Sequence, residues 1–167
     1  MDGREVMDEH TFLTYLQAAE NTLYHVACTL LRSEADRCDA LQETALRAWQ
    51  HRDSLRQTAY FTTWAVRILI NVCHSMARRQ CRVVPTDTLQ ERPAPEQDTE
   101  LRLVLDAMPE KHRLPLVLFY LEGFSTEEVA RALGIPTGTA KYRLHQARKA
   151  LRLEITDGKE AAAHEGI

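Results

Sequence analysis

Apolar side chains recur at helical spacing along most of the chain. The first stretch begins at Phe12 and takes in Leu13, Leu16, Leu23, Val26, Ala27, Leu30 and Leu31. A second helix is predicted from about Asp36 to Trp49, with Leu41, Ala45, Leu46 and Trp49 on one face. A third is predicted from about Phe61 to Gln80, where Phe61, Trp64, Ala65, Ile68, Val72 and Met76 form the buried stripe. No run alternates at period two, so the first half reads as a helical bundle. The pattern stops between Val83 and Thr99, a stretch that holds Pro85, Pro93 and Pro95 together with Asp87, Glu91, Glu96 and Asp98. Proline removes backbone donors and restricts its neighbour, which predicts an interdomain linker here. Helical spacing resumes at Leu101, Val104, Leu105 and Met108 and runs to about Leu153. The residues from Asp157 on are small and polar, and fraying is expected. The expected fold class is therefore all-α. Two small helical domains, over 1–82 and 100–155, are joined by a Pro-rich acidic linker over 83–99, and a disordered tail covers 156–167.

The most specific local signal lies between Ser125 and Leu151. Ser125 followed three residues later by Glu128 is a capping box, which satisfies orphan amides at a helix start. That helix carries Val129, Ala130 and Leu133 inward and is predicted to stop at Gly134. Ile135 plugs the turn, and Pro136 with Thr137 opens the next helix. Ala140, Leu144, Ala147 and Leu151 then form an inner stripe, and no acid appears before Glu154. The remaining positions include Lys141, Tyr142, Arg143, His145, Gln146, Arg148 and Lys149. A short helix, a glycine turn and a basic second helix suit a reader of the DNA major groove. An ordinary helical hairpin with a solvated basic face is the plainer alternative.

Charge sharpens this picture. The 167 residues carry a formal net charge of −3, which on its face argues against nucleic acid. The distribution is uneven, however. Residues 54 to 86 contain five arginines and no acid, and residues 111 to 153 hold 8 bases against 3 acids. Acidic stretches separate and flank the two basic blocks, which points to two nucleic-acid-facing surfaces on one chain. The longest apolar run, Leu114 to Leu121, is far short of the ~20 residues that span a bilayer. The N-terminus lacks the basic-then-apolar layout of a signal peptide. Cys28, Cys38, Cys73 and Cys81 form no Cys-x-x-Cys pair, so no zinc clasp or disulfide framework is suggested. A reduced, soluble, cytoplasmic protein without cofactor is expected.

With the helix-turn-helix in place, the first half resembles a known family. The stretch from Asp36 to Trp49 is similar to the polymerase-binding helix of bacterial sigma factors. Phe61 to Asn71 resembles the promoter-melting helix that comes after it, and Gly134 to Lys149 matches the family's second DNA-binding domain. The small two-domain size resembles the extracytoplasmic-function group, which keeps only sigma regions two and four. The resemblance covers about residues 9 to 153. It implies a protein that binds core RNA polymerase, directs it to a promoter class and helps open the DNA, and that catalyses nothing itself. The first domain would take the minus-ten element as the single non-template strand, and the second the minus-thirty-five element as duplex. Members of the group are often held by an anti-sigma protein, which makes one a candidate partner. Insertion into a membrane is not implied.

The resemblance also distributes roles. Asp39, Gln42 and Glu43 would dock on a basic polymerase surface, although without the neighbouring motifs a solvated acidic face is the better explanation of them. Arg56, Tyr60, Arg67, Asn71, Arg78 and Arg79 combine positive charge with an aromatic plane, the mixture that single-stranded DNA binding uses. Phe61, Trp64 and Trp49 fall at core spacing instead. Lys141, Tyr142, Arg143, His145, Gln146, Arg148 and Lys149 would meet the duplex. Three departures stand out. The family usually shows Asp-Ala-Glu-Asp where this chain has Asp36, Arg37, Cys38 and Asp39. That removes one carboxylate and adds a positive charge, which is expected to weaken polymerase docking or make it conditional. Ser75 replaces a common aspartate, and Gln146 stands at a position that is often arginine.

Two other readings compete. A helix-turn-helix repressor or activator without polymerase affinity would need a sensor or dimerisation domain, and the first half offers no evident pocket or heptad seam. A metal or thiol sensor could use Cys73, His74 and Cys81, with a thiolate favoured near Arg78 and Arg79. Neighbours Cys73 and His74 point to different helix faces, though, and buried cysteine is the default.

Overall fold

A computed structural model describes residues 7–83 and 99–164, with side chains over 7–82 and 101–152. The chain divides into two compact units, one built on the N-terminal helices and one on the helices from Thr99 onward. The described residues contain helices and turns and no strand. Most of the predicted linker lies outside the described residues.

The N-terminal unit consists of α1 (Glu9–Leu30), α2 (Glu34–Gln50) and α3 (Phe61–Val83). Asp8 caps α1, its carboxylate accepting the Thr11 amide at 2.6 Å. That bond to the backbone holds the Asp8 pKa below its usual value. Inside, small side chains let the helices approach closely: Ala19 and Ala27 of α1, Ala40 and Ala48 of α2, and Ala65 of α3 are all fully buried. Leu23, Val26, Val66, Leu69 and Val72 fill the space between them. At one end Phe12, Tyr15, Trp49, Phe61 and Trp64 form an aromatic cluster with centroids 5.1–5.7 Å apart. Phe61 lies at its centre and is fully buried, whereas Trp49 and Trp64 keep a partly exposed edge.

The buried face of α2 differs from the one the apolar pattern predicts. Arg37, Ala40, Thr44 and Ala48 face inward, and Leu46 is 52% exposed. The inner positions need small residues, and Thr44 returns its hydroxyl to the Ala40 carbonyl at 2.6 Å, so its burial leaves no orphan polar atom. In α3 the stripe is shifted in the same way: Val66, Leu69, Ile70 and Cys73 are buried, while Ile68 and Met76 are only partly so.

The C-terminal unit comprises α4 (Thr99–Ala107), α5 (Glu110–Leu116), a π-helical turn (Val117–Leu121), α6 (Thr126–Leu133) and α7 (Thr137–His164). Pro115 lies inside α5 and withholds one amide, and the chain then widens into the π turn. Gly123, at φ 71°, ends that segment in a conformation few other residues adopt. Leu116, Met108 and Ala147 pack together, supported by Leu105, Ala150 and Leu151. Arg113 joins α5 to α4 by donating to the carbonyls of Leu105 and Asp106 at 3.4 and 3.3 Å. α7 continues as helix to His164, past residue 156 where the tail is expected to begin, and residues 165–167 lie outside the described chain. Glu160, Ala161, Ala162 and Ala163 are strong helix formers, and a single Gly158 costs about 1 kcal/mol against them.

Candidate nucleic-acid and polymerase interfaces

The helix-turn-helix forms by the local rules its residues suggest. The Ser125 hydroxyl accepts the Glu128 amide at 3.2 Å, and the Glu128 carboxylate accepts the Ser125 amide at 2.8 Å. At the other end Gly134 adopts φ 64°. Its amide reaches the Arg131 carbonyl at 3.2 Å, and the Ile135 amide reaches the Ala130 carbonyl at 3.0 Å. This nested pair is a Schellman motif, which reverses the chain and closes α6. Ser125→Ala and Gly134→Ala should each destabilise the C-terminal unit by about 1 kcal/mol. Hydrogen exchange of the α6 and α7 amides measures the loss, and unchanged protection would show that the caps are dispensable.

In α7, Ala140, Leu144 and Ala147 are buried as the pattern predicts. The opposite face carries Tyr142, 63% exposed, with exposed Lys141, His145 and Lys149 around it. Arg143 and Gln146 lie on its flanks and are half-buried. The His112 pKa is lowered, first by burial and then by the charges of Lys111 and Arg143. Arg148 is exposed but engaged. Its Nε donates to the Tyr120 hydroxyl at 2.6 Å, and its guanidinium lies 5.7 Å from the Phe119 ring centroid and 5.6 Å from that of Tyr120. Nothing in the sequence pattern joins residues 120 and 148.

In the N-terminal unit, Arg67, Asn71 and Arg78 are exposed and succeed one another at helical spacing along one outer face of α3. Arg79 is also exposed, about 100° further round the helix. Arg56 is exposed in the preceding loop, between two short 3₁₀ turns over Arg52–Ser54 and Thr58–Tyr60, and Tyr60 is exposed at the end of the second. Arg52 instead serves the fold. It stacks 4.0 Å from the Trp49 ring centroid and donates to the Trp49 carbonyl at 2.8 Å.

On α2 the three predicted docking residues differ in freedom. Asp39 and Gln42 are exposed, whereas Glu43 is half-buried and accepts from Arg47 Nε at 2.6 Å. Leu46 continues the same outward stripe, an apolar member that the sequence pattern assigns to the core.

Arg37 corrects the expectation that it adds positive charge to this face. It is 4% exposed and turned inward. Its donors reach the Ser33 carbonyl at 3.3 Å, the Arg32 carbonyl at 3.1 Å and the Cys28 sulfur at 3.1 Å, with Glu34 at 3.3 Å. Burial opposes its charge, but Cys28, Glu34 and Tyr24 outweigh that, and its pKa is raised. The substitution thus ties down the α1–α2 turn. Of the sensor candidates, Cys73 is buried in the bundle and Cys81 is exposed two turns on. Among the described residues no helix is long and apolar enough to cross a membrane.

Comparison with known proteins agrees with both halves of this geometry. Residues 15–83 match the sigma-70 region 2 family and residues 98–151 match sigma-70 region 4. The chain is 34% identical over 170 residues to the ECF RNA polymerase sigma factor SigL of Mycobacterium tuberculosis, covering 92% of this chain and 89% of that one. It is 32% identical over 151 residues to the RNA polymerase sigma-E factor of Streptomyces coelicolor, covering 86% and 85%. Among solved structures it resembles the sigma factor RpoE of Bartonella quintana, crystallised with the anti-sigma factor NepR. The TM-score is 0.71 at 25% identity, covering 89% of this chain and 96% of that one. With region 2 and region 4 matched in order and relatives aligned along nearly their whole length, the chain belongs to the extracytoplasmic-function sigma factors, the RNA polymerase initiation factors of the sigma-70 family.

Proposed function

We propose that this chain joins core RNA polymerase through α2 and reads the two promoter elements with separate helices. The outer face of α3, with Arg67, Asn71 and Arg78 and with Arg56 and Tyr60 in the loop before it, takes the minus-ten element as the single non-template strand and favours DNA opening. The exposed face of α7 takes the minus-thirty-five element as duplex. The observation that carries this reading is that both basic faces point to solvent while the apolar stripe of each helix is buried. Work of this kind is done by binding, in the cytoplasm where the polymerase acts. An anti-sigma protein is the partner proposed to silence it, on the analogy of the Bartonella complex.

Run-off transcription with core polymerase tests the proposal, using a fragment upstream of this protein's own gene. A specific start that needs both components is expected. Failure to detect a complex with core polymerase at micromolar protein overturns it. Asp39→Arg is expected to weaken that complex about fivefold, the scale of one exposed ion pair turned to repulsion. Helical content should not change, because Asp39 is exposed on α2. A repressor without polymerase affinity would instead bind duplex DNA alone in a gel shift and ignore the substitution.

A further inference from the structure

The contact between the π turn and the recognition helix has a consequence for how DNA is held. Arg148 sits on the flank of α7, two turns beyond Lys141, where a long exposed side chain would ordinarily sample many rotamers. Here it is confined from two directions. Its Nε–H is taken by the Tyr120 hydroxyl at 2.6 Å, and the Phe119 and Tyr120 rings, in edge-to-face contact with centroids 4.9 Å apart, lie beside the guanidinium. That bond uses only Nε. The Nη1 and Nη2 donors, the end of the fork that grips a phosphate with two parallel bonds, take no part in it. The Tyr120 hydroxyl, as the acceptor from Arg148, also keeps its own proton to donate. Tyr120 is 53% exposed, so the pair is open to a ligand.

We propose that Tyr120 is a positioning residue for promoter binding. With the Phe119 ring it holds Arg148 as a preformed fork for one backbone phosphate beside the minus-thirty-five element. The proposal rests on α7 reading that element. It adds a residue outside the helix-turn-helix, on a turn whose π-helical geometry sets where the hydroxyl stands. Holding the fork in place before binding removes ordering cost that an unrestrained arginine would meet on contact. A phosphate contact fixes register and carries no base information, so the effect should be the same for all promoters.

The test uses holoenzyme assembled from the full chain and core polymerase, and duplexes selected by the wild type from a randomised minus-thirty-five library. Affinity is measured as salt is varied, for the wild type, Tyr120→Phe, Arg148→Ala and the double variant. Tyr120→Phe keeps the ring and removes only the hydroxyl, and a loss of about 3–10-fold is expected. Arg148→Ala should lose more and flatten the slope of log affinity against log salt by about 0.9. The decisive expectation is that the double variant binds no worse than Arg148→Ala alone, because the hydroxyl acts through the arginine. Tyr120→Phe binding as tightly as wild type, or a double variant whose losses multiply, overturns the assignment of Tyr120 while leaving α7 as the reader. A loss of core polymerase affinity in place of DNA affinity would make the π turn a polymerase contact and also overturns it. If wild-type holoenzyme selects no duplex at all, the underlying reading of α7 fails, and this proposal fails with it.

Discussion

Arg37→Ala is expected to destabilise the N-terminal unit by about 3 kcal/mol, a large effect for a single charged side chain. The expectation comes from burial and from the bonds lost together. The guanidinium is 4% exposed and donates to two carbonyls at the turn between α1 and α2 and to the Cys28 sulfur. Removing it leaves the Arg32 carbonyl without that donor and opens a void beneath the first turns of α2. Arg37→Met separates these effects, since it keeps most of the buried stem and loses only the donors, and about half the cost should remain. Urea denaturation followed by tryptophan fluorescence measures both. Trp49 and Trp64 both lie in the N-terminal unit, so the signal reports that unit without interference from the other. A surface role makes the opposite forecast, namely an unchanged midpoint and tighter binding to core polymerase once the positive charge is gone. That result would return Arg37 to the docking face.

Arg37 also shows why part of the molecule is hidden from sequence reading. A charged residue in a motif that is usually acidic is naturally taken for a change in surface charge. Only the packing of α2 against α1 reveals that position 37 faces inward, where arginine can satisfy the carbonyls of the preceding turn. Leu46 is the same rotation seen from the other side: the pattern rewards the large apolar residue, but close helix packing selects Ala40, Thr44 and Ala48 and turns Leu46 out. The helix-turn-helix is legible because its determinants are local. Ser125 and Glu128 cap each other, Gly134 supplies the left-handed turn, and Ala140, Leu144 and Ala147 repeat at helical spacing. Their geometry depends on neighbours within a few residues. The Tyr120–Arg148 bond spans 28 residues and joins a turn to a helix flank, so no periodicity announces it. The extension of α7 to His164 escapes the pattern for a smaller reason: one glycine and a polar composition suggest fraying, yet the helix-forming run of Glu160 to Ala163 outweighs them.

If α7 reads bases as proposed, a single side chain on it should redirect the protein. Tyr142, His145 and Lys141 stand on the exposed face of the first turns, and Gln146 lies beside them, half-buried at the flank. Half-burial restricts the amide's rotamers, which suits a group that must present an oxygen and an NH₂ together. Glutamine pairs best with the two major-groove edge groups of adenine, and arginine with those of guanine. Gln146→Arg should therefore move the preference at one minus-thirty-five position from adenine toward guanine, by about 1–3 kcal/mol. Lys149 lies exposed a further turn along, and the proposed role for its three donors is to grip phosphate, on which lysine acts as a point charge. Lys149→Ala is thus expected to weaken every promoter alike and to flatten the salt dependence by about one phosphate contact. Both variants can be read in one assay, transcription from a randomised minus-thirty-five library at two salt concentrations. The wild-type profile locates the position, the arginine variant should change the base enriched there and nowhere else, and the alanine variant should scale the whole profile without altering its shape. A profile that Gln146→Arg leaves untouched would place the reading elsewhere on α7, with Tyr142 the next residue to replace. A selective loss from Lys149→Ala would mean that the helix lies deeper along the groove than its first two turns.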